Sequence, residues 1–353
     1  MHSWEVWNRV DYTVYRTQKA RFVSEFGFQG PPAWSTLTAV VHDEPMDPFG
    51  HEMLVHQKAN LGNKKLERGW QGHLPDPDLT REGGIEDWHW TTQLNQAQAI
   101  RFGVEHWRSL TPLNTGTVLW QLNDNWPVVS WAAVDHEGHR KPLWHALRDA
   151  HAPRLATLQP RASAEARANA WEGLEAEPDT TALVLVNDTG EDFKGTFTAT
   201  RQTFDGTVLA ATTLMASVPA RGVAELTVPA DVATFDDTAA EVVVVAPDAA
   251  GSGFATAFLD GADVVGQHLD PAAVTATAVK VPGGYEVTAV ARSYARDLFL
   301  HADKVDPAAR VDGGMVTLTA GGTTTFRVTS ALDVDPAAFA ATLRTANDLL
   351  TPR

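Results

Sequence analysis

In the second half of the chain, short apolar runs alternate with turn residues at regular spacing. Ala182–Val186 is closed by an Asn-Asp-Thr-Gly cluster, and Asp205-Gly206 separates two further runs. The latter pair predicts a hairpin, because glycine tolerates a positive φ. A second series of runs follows residue 271 and has Gly-Gly turns at 283–284 and 321–322. Strands this short and this regular predict two immunoglobulin-like β-sandwiches.

In the first half of the chain, short apolar runs are separated by longer segments, two of which have helical patterns. Arg21–Ser24 and Thr117–Trp120 are short apolar runs that predict strands, and Glu86–Arg108 carries apolar residues at helical spacing. Pro142–His151 predicts a second helix that begins at a proline. The order strand, helix, strand, helix is typical of a parallel α/β fold, but two strands cannot make a stable parallel sheet alone. We therefore expect this half to be part of a larger unit.

These patterns divide the chain into three predicted domains, over residues 1–151, 152–265 and 266–353. The first is the α/β part, and the other two are the sandwiches. At the C-terminus, Asp335 and Pro336 stand at N-cap and N1 positions, and they predict a short closing helix that runs to Leu350.

Composition narrows the classes of partner. The 353 residues carry a formal net charge of −16, so nucleic acid and anionic membranes are poor partners. No run of 18 apolar residues predicts a membrane span, and the first residues do not form a signal peptide. We expect a cytoplasmic protein. Cysteine is absent, which excludes thiolate chemistry and disulfides.

Three groups of residues are candidates for chemistry. Glu25 follows the first predicted strand, although it could instead cap a helix or pair with Arg21. Trp120, Asn123 and Asp124 follow the second strand, in a combination typical of sugar sites, with core packing as the alternative for the indole. His2 and Trp4 lie two residues apart at the start of the chain. They would share one face of a strand, unless the terminus is frayed.

Metal and cofactor chemistry has little support in the sequence. His42, His51 and His56 lie among acidic residues, but His51 and His56 are five apart and do not share a helix face. We expect an incidental acidic loop, no metal site and no cofactor. There is also no Gly-x-Ser-x-Gly elbow of a serine hydrolase.

At the candidate residues the chain resembles the C-terminal part of the β-mannosidases of glycoside hydrolase family 2. The Ser-Glu-Phe-Gly-Phe-Gln and Trp-Gln-Leu-Asn-Asp motifs are the most specific, and the resemblance extends over nearly the whole chain. Asn125 departs from it, since similar members often carry cysteine there. The matching stretches are His2–Trp7, Arg21–Gln29, Trp88–Ala97, Glu105–Arg108, Trp120–Trp131, Arg140–Trp144 and Leu343–Leu350.

The resemblance implies a fold and roles for the candidate residues. The first domain would be the last part of a (β/α)8 TIM barrel, followed by the two sandwiches. Glu25 would be the catalytic nucleophile at the end of barrel strand seven, and Trp120 would form the floor of the subsite for the terminal sugar. His2 and Trp4 would lie near that subsite, and Asp124 would hold structure or contact substrate. The chain would then belong to a retaining enzyme that removes terminal β-D-mannose from the non-reducing ends of oligosaccharides or glycans.

The same resemblance implies that one catalytic group is missing. Retaining glycosidases need two carboxyls, and the acid/base of this family is a Glu preceded by Asn, a dipeptide that this chain lacks. We therefore expect the chain alone to be inactive, with the missing N-terminal half as its partner. Two alternatives stay open. One is a related β-galactosidase, β-glucuronidase or exo-glucosaminidase, and the other is a non-catalytic carbohydrate-binding β-sandwich protein.

Overall fold

A small parallel sheet organises the N-terminal part of the protein. The computed structural model describes residues 1–170 and 175–350. Its first three strands are β1 (His2–Ser3), β2 (Val23–Phe26) and β3 (Thr117–Leu119), which pair in the order β1-β2-β3 with parallel neighbours. The two strands predicted from the sequence are present, and the two-residue β1 adds a third. With partners on both sides, β2 is the central strand.

Helices and connecting segments surround this sheet. The longest helix contains an almost continuous run of buried residues, including Trp88, Trp90 and Trp107, and its apolar spacing had predicted it from Glu86 onwards. The predicted proline-initiated helix is also present. The six helices are α1 (Glu5–Asn8), α2 (Trp34–Thr38), α3 (His51–Val55), α4 (Gly62–Trp70), α5 (Gly84–Arg108) and α6 (Pro142–Ala150). Tyr12–Thr17 forms a 3-10 helix.

A β-sandwich follows, as its short apolar runs predicted, with seven strands among its described residues. One sheet has the order β4-β5-β8 and the other β10-β9-β6-β7, and a single apolar core lies between them. The Asp205-Gly206 turn joins β6 to β7, and Gly206 has a φ of 91°. The strands are β4 (Arg154–Arg161), β5 (Thr180–Asn187), β6 (Phe193–Thr203), β7 (Val208–Val218), β8 (Gly222–Thr227), β9 (Glu241–Pro247) and β10 (Ala257–Asp260). The helices α7 (Ala164–Asn169) and α8 (Ala230–Ala233) lie in its connections.

A second sandwich of seven strands ends the described chain. Its sheets have the orders β11-β12-β16-β14 and β15-β13-β17 and enclose a third core around Tyr285 and Phe326. The strands are β11 (Val274–Val281), β12 (Gly284–Ala291), β13 (Ala295–Leu300), β14 (Arg310–Val311), β15 (Val316–Leu318), β16 (Thr323–Thr329) and β17 (Leu343–Arg344). Short 3-10 helices cover Val264–Gly266 and Ala302–Lys304.

The continuous closing helix predicted over residues 335–350 is wrong. Only α9 (Ala337–Ala340) is α-helical there, and Asn347–Leu350 forms a 3-10 turn. Between them, β17 pairs antiparallel with Phe299 and Leu300 of β13. The backbone hydrogen bonds between β17 and β13 outweigh the helix-start signal of Asp335 and Pro336, which acts only on neighbouring residues.

The N-terminal core continues into both sandwiches. The cluster around β2 and α5 also contains Phe204 and Val244 of the first sandwich and Tyr294 and Phe299 of the second. The indole of Trp90 donates to the carbonyl of Thr345 at 2.8 Å. Within the described residues, no helix has the length and apolar character that crossing a membrane requires.

Candidate active site

The carboxyl ends of the three parallel strands bring the first candidates together. Glu25 lies in β2, and its register partner on β1 is His2. The Nδ1 atom of His2 lies 3.0 Å from Oε2 of Glu25. The side chain of Glu25 is 25% exposed, so the carboxylate is held by an imidazole and is still open to solvent on one side. The alternative in which Glu25 pairs with Arg21 is not what the structure shows.

Trp120 follows β3 on the other side of β2. Its backbone N–H donates to the carbonyl of Phe26 at 2.8 Å, and its peptide bond to Gln121 is cis. Its side chain is 45% exposed. A Cβ at Gly27 would collide with the Trp120 carbonyl, so this approach of the two chain segments requires glycine.

Contrary to the sequence prediction, Trp4 does not share a strand face with His2. It stands at the N-cap of α1, because β1 ends at Ser3. Its half-buried indole makes an edge-to-face contact with Trp131, with 5.9 Å between ring centroids. Trp131 also meets Trp7 edge-to-face at 6.1 Å. The three indoles form one aromatic cluster, and Trp131 also lies beside Gly27, which follows β2.

Asp124 and Asn123 occupy contrasting positions in the loop after Trp120. The side chain of Asp124 is only 2% exposed, and its Oδ1 lies 3.0 Å from Nζ of Lys58 and 3.1 Å from Nε2 of Gln121. The hydroxyl of Ser130 donates to its second oxygen. Asp124 therefore holds the loop, which is the structural part of its expected role, whereas Asn123 is exposed.

Lys58 is the residue that sequence reasoning missed. It lies in the long connection between α3 and α4, and its backbone N–H also donates to Val129 at 3.1 Å. A lysine in a polar loop carries no sequence signal for a partner 66 residues away. Within residues 1–170 and 175–350, no three His, Asp or Glu side chains are grouped as metal ligands would be.

Comparisons with known proteins point to one group of enzymes. No family model matches the chain. The β-mannosidases B of Aspergillus niger and Aspergillus terreus are each 33% identical to it over 153 residues, which is 42% of this chain. The matched part is 18% of each relative, so the match spans about a fifth of the curated proteins' length.

Solved structures extend the likeness in fold to nearly the whole chain. A β-D-mannosidase from Dictyoglomus thermophilum matches 98% of this chain and 39% of its own, with a TM-score of 0.77 and 23% identity. An exo-chitosanase from Amycolatopsis orientalis matches 93% of this chain and 42% of its own, with a TM-score of 0.58 and 19% identity. The chain is thus similar to β-mannosidases, as its motifs predicted, and its likeness to part of these longer proteins is consistent with a C-terminal portion.

Proposed function

We propose that this chain supplies the nucleophile and part of the sugar subsite of a retaining glycoside hydrolase that removes terminal β-D-mannose from non-reducing ends. One observation carries the proposal. The carboxylate of Glu25 is partly exposed at the end of the central parallel strand and contacts His2. The exposed Trp120 directly follows the adjacent strand β3. The similarity to β-mannosidases supports mannose among the sugars that such a site could take.

The reaction would proceed in two displacements. An oxygen of Glu25 attacks the anomeric carbon, the bond to the leaving oxygen breaks, and a glycosyl ester forms. Water then cleaves this ester and restores the carboxylate. His2 fixes the orientation of the attacking group, and the indole of Trp120 covers the apolar C–H face of the pyranose. His2, Trp4, Asn123 and Asp124 complete or support the proposed subsite.

A second carboxyl is needed for the full cycle. It protonates the leaving oxygen and then activates water, at about 5–5.5 Å from the nucleophile. We propose that it comes from a portion outside this chain, with which β1, β2 and β3 complete a (β/α)8 barrel. Exposed apolar side chains on or beside these strands support such a partner, among them Phe22, Val118 and Leu122. With a leaving group that departs without protonation, the chain alone should then form the glycosyl ester without turning it over.

An activated substrate tests the nucleophile separately from the acid. In 2,4-dinitrophenyl 2-deoxy-2-fluoro-β-D-mannoside the leaving group departs without protonation, so ester formation needs only the nucleophile and the sugar subsite. We expect intact-mass spectrometry to show one added fluoroglycosyl group, and peptide mapping to place it on Glu25. Unactivated β-mannosides should show no turnover.

Variants of the chain and other sugar configurations distinguish a β-mannosidase from the alternative functions. E25Q should abolish the label, whereas E5Q, which changes a nearby carboxylate on α1, should keep it. A label that forms only with the galacto, glucurono or glucosamine configuration would favour the related enzymes over a β-mannosidase. No label with any configuration, together with mannan binding by the sandwiches, would favour a non-catalytic binding protein. Turnover of an aryl β-mannoside that E25Q abolishes would contradict the predicted inactivity of the chain.

A further inference from the structure

A cavity of about 320 Å³ lies where the N-terminal part meets the second sandwich. Its walls come from α5, the start of α6, the end of β13 and β14. None of its lining residues is among the candidate catalytic residues around Glu25. Its size is at the lower end for small-molecule pockets.

Buried polar atoms without partners surround this cavity. Gln93, His145 and His301 line it, and each is at most 2% exposed. Within the part of the chain that the structure describes, Oε1 of Gln93, Nδ1 of His145 and Nε2 of His301 accept or donate no hydrogen bond. Buried polar groups usually have a hydrogen-bond partner, so three unpartnered atoms on residues that line one cavity favour a polar ligand at this place.

The surroundings of the cavity are electropositive, although the whole chain has a net charge of −16. Arg140, Lys141 and Arg310 line it, against one carboxylate, Asp303, whose Oδ2 already accepts from the backbone of Ser35 at 2.9 Å. Two of these cations also have protein partners, since Nζ of Lys141 donates to the carbonyl of Gly30 at 2.9 Å and Arg310 donates to the carbonyl of Glu137 at 3.0 Å. Arg140 and Arg310 are exposed at its mouth. Cations at an entrance attract anions and raise their local concentration.

The titratable groups agree with this charge pattern. Burial, followed by the charges of Arg148 and Arg140, lowers the pKa of His145 to about 3, so its ring is neutral and sits in a positive field. Burial also lowers the pKa of Lys141 to about 7, although Asp124 and Asp135 act in the opposite direction. An anion beside Lys141 would favour its charged form.

The first turn of α6 adds a further electropositive group. This nine-residue helix begins at Pro142, and its N-cap residue Lys141 makes no side-chain cap. Both residues line the cavity. The N-terminal end of a helix dipole favours negative charge, and here it coincides with the buried unpaired groups of His145 and His301.

We propose that this cavity binds a small oxyanion that carries a hydroxyl group, with inorganic phosphate as the simplest example. The arginines at the mouth and the start of α6 hold its charge, the imidazoles of His145 and His301 bond its oxygens, and Gln93 Oε1 accepts from its hydroxyl. The bound anion joins α5 and α6 to β13 and β14 and stabilises the junction. The proposal does not depend on the function proposed for Glu25.

Calorimetric titration of the full chain with phosphate at pH 6.5 tests it, with ionic strength held constant by sodium chloride. We expect saturable binding and a rise in Tm with phosphate. Sulfate, which lacks the hydroxyl at this pH, should bind more weakly. R140Q and the double variant R140Q/R310Q change exposed residues, and the double variant should weaken phosphate binding at least tenfold.

A second double variant controls for general electrostatics. R167Q/R327Q removes the same charge from exposed positions on α7 and β16, outside the cavity lining, and should bind phosphate as the parent does. Equal weakening in both double variants, or no binding beyond that of chloride, would overturn the proposal. Binding of D-mannose but not of phosphate would overturn it in favour of a neutral ligand.

Discussion

Two carboxylates at neighbouring strand ends have opposite environments. The side chain of Glu25 is 25% exposed and contacts a mostly exposed histidine, whereas that of Asp124 is 2% exposed and contacts a lysine. A group that reacts with a sugar must be reachable, while a group that holds a loop must have its lone pairs filled by the protein. Burial therefore separates the loop contact of Asp124 from the role proposed for Glu25, and sequence position alone had left the role of Asp124 open.

Removal of the cation beside Asp124 should destabilise the Trp120 loop. In K58M the buried carboxylate keeps its bonds to Gln121 and Ser130 but loses its only ion pair among the described residues. We expect the free energy of unfolding to fall by about 1–3 kcal/mol, below the cost of breaking a fully buried pair because Lys58 is 30% exposed. Urea unfolding followed by tryptophan fluorescence measures this change.

A control and a double variant show whether the pair is responsible. K64M changes an exposed lysine in the neighbouring helix α4 and should shift the unfolding free energy by less than about 0.5 kcal/mol. K58M/D124N should recover part of the loss, because no buried charge is left unpaired. Additive losses in the double variant would show that the two residues do not interact.

At the scale of elements, the apolar pattern of the sequence predicted those helices and strands whose residues are buried in a core. The helical apolar spacing of α5 and the alternation in β12 reflect one face that packs on a core, whereas the continuous apolar runs of β5 and β9 reflect burial on both faces, so these elements were predictable. β1 has two residues and no period, and it forms because β2 pairs with it. β17 likewise depends on the edge of β13. Within the candidate site, the strand-end residues were predictable, but Lys58 and Trp131 act through contacts between distant segments.

The junction between β2 and β3 gives a prediction at this scale. In G27A the added methyl group would meet the backbone carbonyl of Trp120 and, at 3.1 Å, the indole of Trp131. Backbone cannot yield as a flexible side chain does, so we expect a loss of about 1–3 kcal/mol and displacement of the Trp120 loop. Labelling of Glu25 by the fluoromannoside should slow accordingly.

A glycine in open space provides the comparison. At Gly190, in the connection between β5 and β6, an added Cβ has no neighbour within 4 Å. G190A should leave both stability and the rate of labelling near those of the parent. If G27A also leaves both unchanged, the close approach of the two segments does not position Trp120.

At the scale of the whole molecule, one histidine ties three distant segments together. His73 lies 2.6 Å from Asp11 through Nε2 and 2.9 Å from Asp263 through Nδ1, and its ring stacks on Tyr12 at 4.3 Å. Asp11 caps the first 3-10 helix, and Asp263 precedes the one between the two sandwiches. The ionic contacts of His73 therefore join the N-terminal part to the connection between the sandwiches.

The charge state of His73 makes this junction sensitive to pH. Burial alone would lower the pKa of His73, but the hydrogen bonds and charges of Asp11 and Asp263 outweigh it and raise the pKa to about 9. Burial opposes the shift at Asp11 as well, yet its bonds from His73 and Thr13 lower its pKa to about 2. A raised histidine pKa stabilises fully below the ordinary value of 6.5, and that contribution is lost as pH rises through 9. The contribution of Asp11 is complete above 3.8 and is lost as pH falls through 2.

We therefore expect the free energy of unfolding to fall by about 1–2 kcal/mol between pH 6.5 and 9.5 through His73, a value reduced for the solvent screening of its two carboxylate partners. Urea unfolding across this range should show that the stability of the parent declines relative to that of H73Q, whose amide does not titrate, because other titrating groups such as Lys141 contribute equally to both proteins. D263N should show a smaller decline than the parent, since it removes one of the two carboxylates. H136Q changes a partly exposed histidine beside Glu137 and should keep the parent's decline. If H73Q declines as the parent does, the stability of the junction does not depend on the protonation of His73, and the pH dependence arises elsewhere in the chain.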